Sequence, residues 1–380
     1  MIDIDIFLIL NCLIYIHTFE KDDAQDRFVG KSIYDISDFI KTKKNSLGLY
    51  PGEINEEEFS NIIATIECNK KVYEKIKIVD IENSFFGNIS GSDRVVNISF
   101  IFEDNLIIVY KGTAGDYEWK DNVEGTYNIT DTKQQRRALS YFDKMVEKFP
   151  NVNKIYVSGH SKGGNKAQYI GILRGNMSKL EKIYSFDGQG FNGNFLKKYN
   201  KEITNNGYKI YNICNEYDYV NIIMNSIANK IFIKSTTNIG NEDDRQSKLL
   251  HRFGGFHSPY SMFKNENGIL TLNDEVEQSE IMKNFEKLFE YFDKNMDEED
   301  NNFMYYRMSL VMMESGNEVF GEDCPISPKG FFKRFIKLTR EFTKNESGLD
   351  SSEIISLFKP ILSDIGSIII KGKVSEDKSE

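Results

Sequence analysis

The spacing of apolar positions changes three times along this chain. Residues 2–70 carry apolar side chains at helical intervals and predict helices, interrupted by a polar, Gly- and Pro-marked loop at Ser46–Glu53. From Lys75 the period shortens. Lys75–Asn83, Val95–Glu103 and Asn105–Gly112 are β-rich runs separated by polar punctuation at Gly87, Gly91–Asp93 and Glu103–Asn105, and predict consecutive antiparallel strands. In residues 131–150 the residues Ala138, Tyr141, Phe142, Met145 and Phe149 share one helical face, and Pro150 stops that helix.

From Asn153 strands and helices alternate. Lys154–Gly159 reads as a short strand, Gly163–Leu173 as a helix with Gly175 just past its end, and Lys182–Phe186, Tyr208–Cys214 and Ile231–Thr236 as further strands. Alternation of this kind predicts an α/β fold with a mostly parallel central sheet covered by helices on both faces, the hairpin-like strands lying to one side. After about residue 273 the chain turns helical. Ile281, Phe285, Leu288, Phe292 and Met296 form one stripe, and similar stripes follow at Tyr306–Met313, Phe332–Phe342 and Ile354–Ile369, the last opened by Asp350 and Glu353 as a capping pair. The division expected is 1–272, 273–371 and a frayed tail at 372–380.

The first twenty residues hold an apolar core at Ile6–Ile16 preceded by Asp3 and Asp5, with no basic residue before it. A secretory signal needs a positive leader and a small-residue cleavage site. Eleven residues are also short of the roughly 20 that span a bilayer. The segment reads as a buried helix. The expected location is cytoplasmic, with non-classical export as the alternative.

Composition narrows the function. With 48 basic and 58 acidic residues the net charge is −10, a poor match to a nucleic-acid backbone. Cys12, Cys68, Cys214 and Cys324 lie far apart and none forms a Cys-x-x-Cys pair, which argues against a zinc knuckle or a disulfide scaffold.

The sharpest chemical signal is Gly159-His160-Ser161-Lys162-Gly163, a Gly-x-Ser-x-Gly placed directly between a strand and a helix. That context is the nucleophile elbow: the serine needs a tight turn to project above the sheet, and the glycines let strand and helix approach. Gly164, Ala167 and Gly171 continue a small face along the helix. A serine needs a base and an acid, in chain order Ser, acid, His. His251 and His257 are the two histidines that follow Ser161. For the acid, Asp187 and Asp218 each follow a strand, and the later position favours Asp218. His160 lies in the motif beside the nucleophile and reads as a packed strand residue, and His17 as structural.

Four segments, Val109–Gly125, Val157–Tyr169, Asn215–Ile223 and Phe256–Met262, occur in an order that resembles the class 3, fungal-type lipases, closest to a bacterial branch of lipase-like α/β hydrolases of mostly unassigned function. Tyr110-Lys111-Gly112-Thr113 and Trp119 match the first motif of that group, with Lys where the group has Arg. The resemblance covers about residues 1–265. It implies an α/β-hydrolase fold with Ser161 as nucleophile, Asp218 as acid and His257 as base, leaving Asp187 and His251 as the alternative acid and base. It also implies Thr113 as an oxyanion-hole residue. The elbow independently predicts the backbone N–H of Lys162 as the second oxyanion donor. Two departures stand out: the Pro that usually follows Asp-x-Val is absent after Val220, and Lys111 lacks the bidentate fork of Arg.

The function expected is cleavage of an acyl ester, a lipid the expected class, with no metal or organic cofactor needed. Two alternatives remain: a catalytically silent lipase-like binding module, and a lipid-attacking effector or toxin exported without a signal peptide. The basic and aromatic residues of 329–340 could dock on an anionic lipid surface, although an ordinary helix with one buried face is the plainer reading.

Overall fold

The computed structural model describes residues 2–42, 54–84, 95–113, 121–122, 125, 130–237, 253–311, 327–345, 351–352 and 354–355. The chain divides into two compact units, Met1–Asn238 with Arg252–Met282, and Ile239–His251 with Lys283–Glu380.

Among the described residues, eight strands of the first unit form one sheet. β1 (Ile76–Asn83), β2 (Val96–Phe102) and β3 (Asn105–Tyr110) pair antiparallel at one side. β3, β4 (Lys154–His160), β5 (Leu180–Phe186), β6 (Ile210–Asn215) and β7 (Lys230–Ile233) pair parallel. The two-residue β10 (Glu275–Val276) closes the other edge against β7, antiparallel. This is the mostly parallel α/β sheet that the alternation of elements predicts.

The side-chain period of two divides the core into two layers. Leu106, Ile108 and Tyr110 of β3, with Ile155 and Val157 of β4, face a cluster containing Ala138, Phe142 and Met145 of the helix Lys133–Lys148 and Ala167 and Ile170 of the helix Lys162–Arg174. Ile107, Val109, Tyr156 and Tyr184 face the other cluster, with Phe7, Leu10, Ile62 and Ile66. Each such ring or branched side chain contributes about 1.5–3 kcal/mol when removed from water.

The N-terminal apolar segment belongs to that second layer. Ile4–Leu13 is a helix opened by Asp3, with every residue from Ile6 to Leu13 buried. No helix among the described residues is long and apolar enough to cross a membrane. Asn11, buried on this helix, donates its side-chain N–H to Ser158 Oγ of β4 at 2.5 Å, which docks the helix beneath the strand leading to the elbow. Capping boxes start two other helices: Asn55 with Glu58, and Thr132 with Gln135.

A hairpin that the apolar pattern does not predict forms from β8 (Phe263–Glu266) and β9 (Ile269–Leu272). Its turn is Asn267-Gly268, both at positive φ (56° and 85°), as a two-residue type I′ turn requires.

The second unit packs through aromatic rings. Phe292 of the helix Glu280–Asn295 meets Phe335 of the helix Phe331–Asn345 at 5.2 Å, and Phe303 of the helix Glu298–Val311 meets Phe331 edge-on at 4.9 Å. Arg334 grips buried Asp300 through two bonds of 2.5 and 2.6 Å. The buried stripe of the first of these helices runs through Met282, Phe285, Leu288, Phe292 and Met296. The expected stripe has Ile281 in place of Met282, one position away on the same turn. The loop at Ser46–Glu53, the punctuation at Gly87 and Gly91–Asp93, the capping pair Asp350 and Glu353, and most of the stripe Ile354–Ile369 lie outside the described residues.

Candidate active site

Ser161 sits at the sharp turn between β4 and the helix Lys162–Arg174, with φ 57° and ψ −125°. A non-glycine residue in such a region is strained by roughly 1–3 kcal/mol, which the surrounding structure must hold in place. Its N–H donates to the Phe186 carbonyl at 2.9 Å, and its carbonyl accepts the Asn165 N–H at 3.1 Å. The glycines explain how the turn closes. A Cβ on Gly159 would lie 2.1 Å from the backbone of Gly163, and one on Gly163 would lie 2.0 Å from the Tyr110 carbonyl oxygen. Real Cβ atoms do not approach so closely, so the elbow forms only with hydrogen at both positions.

His257 ends a short helix, Phe253–His257. Its Nδ1 lies 2.9 Å from Oδ1 of Asp218, which follows β6. Both side chains are almost wholly buried. Asp218 Oδ2 accepts the N–H of Asn221 at 2.9 Å. With Nδ1–H given to a carboxylate, the lone pair of His257 is on Nε2. Asn215, at the end of β6, donates to Ser261 Oγ at 2.8 Å, and Ser261 Oγ donates to the Ser258 carbonyl at 2.7 Å. These bonds stitch the segment carrying Asp218 to the segment carrying His257.

The Mbeg1-like family profile matches residues 68–251. No curated protein matches the chain. Among solved structures, the chain is similar to the Lip2 lipase from Yarrowia lipolytica at 14% identity and a TM-score of 0.30, over 42% of this chain and 66% of that one. It is also similar to a triacylglycerol lipase from Penicillium expansum at 10% identity and a TM-score of 0.31, over 48% of this chain and 82% of that one. The chain thus spans just under two thirds of the first of these lipases.

His160 precedes Ser161 and is fully buried at the end of β4. Its Nε2 bonds the His257 carbonyl at 2.7 Å and its Nδ1 bonds the Tyr15 hydroxyl at 2.8 Å. Burial, then the neighbouring His257, hold its imidazole well below the usual histidine range. Tyr15 comes from the N-terminal segment, and its hydroxyl would lie 2.2 Å from a Cβ on Gly112. That same Cβ would lie 3.2 Å from Ser161 Cβ. The N-terminal segment therefore reaches the immediate surroundings of the serine.

Thr113 and Lys162 are each tied to the dipeptide Asp121-Asn122. Asn122 donates its side-chain N–H to Thr113 Oγ1 at 2.8 Å. The Lys162 ammonium pairs with Asp121 Oδ2 at 2.8 Å, and neither side chain has any exposure. Asp121 also accepts from the Thr132 hydroxyl and the Gln134 N–H, at 2.8 and 3.0 Å. Lys111, where the related motif has Arg, is buried and pairs with Glu20 at 3.0 Å. Its carbonyl accepts from Lys166 Nζ at 2.6 Å, so single-point contacts hold this stretch without a guanidinium fork.

Asp187 directly follows β5, buried, with φ 45°. Trp119 and the alternative base His251 lie outside the described residues. His160, Asp187 and His257 offer one ligand atom each within 4.8 Å of one another. As a metal-binding set they are poorly disposed. Both nitrogens of His160 are already hydrogen-bonded, and a metal would have to break one of those bonds.

Tyr15, Glu20, Asp121, Asn122, Asn215 and Asn221 are the site residues that sequence reasoning misses. The signal for Asp121-Asn122 was present, since the pair lies inside the first of the four ordered segments. Tyr15 had no local signal, being 145 residues from the histidine it meets.

Proposed function

We propose that this chain is a lipase-like serine hydrolase that cleaves an acyl ester, with a lipid as the substrate class. The observation that carries the reading is the 2.9 Å contact of His257 Nδ1 with Asp218, in a segment bonded to the residue that precedes a strained serine. In this reading Ser161 Oγ attacks the ester carbonyl while His257 Nε2 takes its proton. Asp218 keeps the proton on Nδ1 and steadies the imidazolium. The Lys162 N–H, at the first turn of a helix, and Thr113 stabilise the tetrahedral oxyanion, each such donor being worth about 10²–10³ in kcat. The C–O bond then breaks, the alcohol leaves with the proton held by His257, and the acyl group stays on Ser161. Water, deprotonated by the same imidazole, attacks the acyl-enzyme, releases the acid and restores the serine.

The test is a screen of graded nitrophenyl esters and phospholipids with Ser161→Ala as the blank. Turnover that disappears in the blank supports the reading and assigns chain length and head group. Turnover equal in both, or in neither, overturns it and favours a silent binding module.

A further inference from the structure

Asp187 is a buried carboxyl that the mechanism above does not use. Its Oδ1 accepts the N–H of Asn215 at 2.7 Å and a side-chain N–H of Asn221 at 3.0 Å. Its Oδ2 is buried with no hydrogen-bond partner. Both donors belong to the segment that carries Asp218, and Asn221 also binds Asp218 through its own N–H. A carboxylate oxygen of Asp187 lies within 4.8 Å of an imidazole nitrogen of His257. Two carboxyls and the same imidazole therefore share one buried cluster, with His160 and the buried Tyr219 as further titratable neighbours.

Two adjacent carboxyls in such a place do not both ionise readily. Burial, and after it the negative charge of Asp218, push the Asp187 carboxyl well above the usual carboxylate range. The cluster therefore favours the neutral form of Asp187 while Asp218 is charged. Removing the charge of Asp218 removes one cause of that shift, while a positive His257 acts in the opposite direction. The orphaned Oδ2 is what a purely structural aspartate would lack. A residue needed only to hold Asn215 and Asn221 uses one oxygen, and Asn could supply it without burying a second acceptor.

We propose that Asp187 is the second acid of this site, a reserve carboxyl that supports the His257 imidazolium when the Asp218 carboxylate is replaced by a neutral side chain. This rests on the triad reading above. In an Asp218→Asn protein the Asp187 proton equilibrates with solvent before turnover, and the carboxylate then faces the imidazolium formed when Ser161 gives up its proton.

The experiment is a double-mutant cycle with Asp187→Asn, Asp218→Asn and the double variant. It reads kcat on a short-chain nitrophenyl ester and the His257 imidazole pKa by NMR, with circular dichroism to verify folding. Asp218→Asn is expected to keep at least about tenfold more kcat than the double variant, and a higher His257 pKa. Asp187→Asn alone should lower kcat less than Asp218→Asn does. The proposal is overturned if the double variant equals Asp218→Asn in both readouts, or if Asp187→Asn costs as much as Asp218→Asn. If Asn fails to fold at position 187, Gly suits the same positive φ and repeats the test. If the wild type turns over no ester, the hydrolase reading fails by itself, and the His257 titration still decides the role of Asp187.

Discussion

The imidazole of His160 donates its Nε2–H to the backbone carbonyl of His257 across 2.7 Å. A carbonyl can only accept, so Nδ1 of the same ring carries a lone pair and takes the hydroxyl hydrogen of Tyr15 at 2.8 Å. Because burial keeps this imidazole neutral, the direction of both bonds is fixed. Tyr15 of the N-terminal segment, His160 beside Ser161, and His257 thereby form one chain of contacts. Tyr15→Phe removes the donor and strands a buried acceptor, which destabilises the fold by about 1–3 kcal/mol. Steady-state kinetics on the folded fraction should show kcat reduced by about tenfold or more with KM little changed. A variant with lowered thermal stability but unchanged kcat would mean that Tyr15 serves the fold alone.

The Lys162–Asp121 pair makes a prediction of stability. Both charges are fully buried, so removing one leaves the other uncompensated. Lys162→Met should lower unfolding stability by about 3–5 kcal/mol in denaturant titrations. Adding Asp121→Asn should recover part of that loss, because the amide oxygen can still accept from Gln134 and no charge is stranded. A double variant less stable than Lys162→Met would show that Asp121 acts mainly through its cap on the helix after Thr132.

Glycine positions in and near the elbow separate close approach from chain freedom. Gly163→Ala would place a methyl 2.0 Å from the Tyr110 carbonyl oxygen, and the three nearest atoms are all backbone. A loss of about 4 kcal/mol or more is expected, read as failure to reach the folded state or a large drop in midpoint. Gly193→Ala meets nothing within 4 Å at the start of a helix and should be neutral or stabilising by up to about 1 kcal/mol. Similar behaviour of the two variants would contradict the packing described for the elbow.

The second unit carries its own pH signal. Burial pushes the Asp293 carboxyl up to about 6 from 3.8, with the Tyr305 hydroxyl bond acting the other way. The folded chain therefore holds a proton that the unfolded chain has released, and stability falls as pH rises from about 4 to 6, then levels. The loss has a ceiling of about 3 kcal/mol. Asp293→Asn keeps an acceptor for Tyr305 and removes the charge. Thermal melts of the two proteins should coincide near pH 4 and separate by pH 6.5, the variant melting higher. A constant gap across that range would contradict the assignment.

The sheet was legible because its strands are self-announcing. Ile107 and Val109 alternate with Leu106 and Ile108 between two apolar layers, and the run Asn105–Tyr110 is bounded by polar residues. The elbow was legible for the same reason: Gly159 and Gly163 are needed within four residues of one another, inside a pattern that switches from strand to helix. The β8–β9 hairpin shows in sequence only through its Asn267-Gly268 turn, because its short strands carry little apolar period. What local spacing does not encode is long-range polar contact. Tyr15 with His160, Lys162 with Asp121 and Asp187 with Asn215 each join residues whose neighbours in sequence say nothing of the partner. Chain position favours Asp218 over Asp187, but it does not place either carboxyl beside the imidazole. Asp218 and Asp187 differ only in where β5 and β6 deliver them, a matter of sheet geometry.

The most direct test of the whole account is the site of reaction with a fluorophosphonate probe. An activated serine oxygen attacks phosphorus as it attacks an ester carbonyl. Peptide mapping after labelling is predicted to place the single adduct on Ser161, with labelling slowed by orders of magnitude in His257→Ala. An adduct on another serine, or labelling of Ser161 that His257→Ala leaves unchanged, would contradict the account.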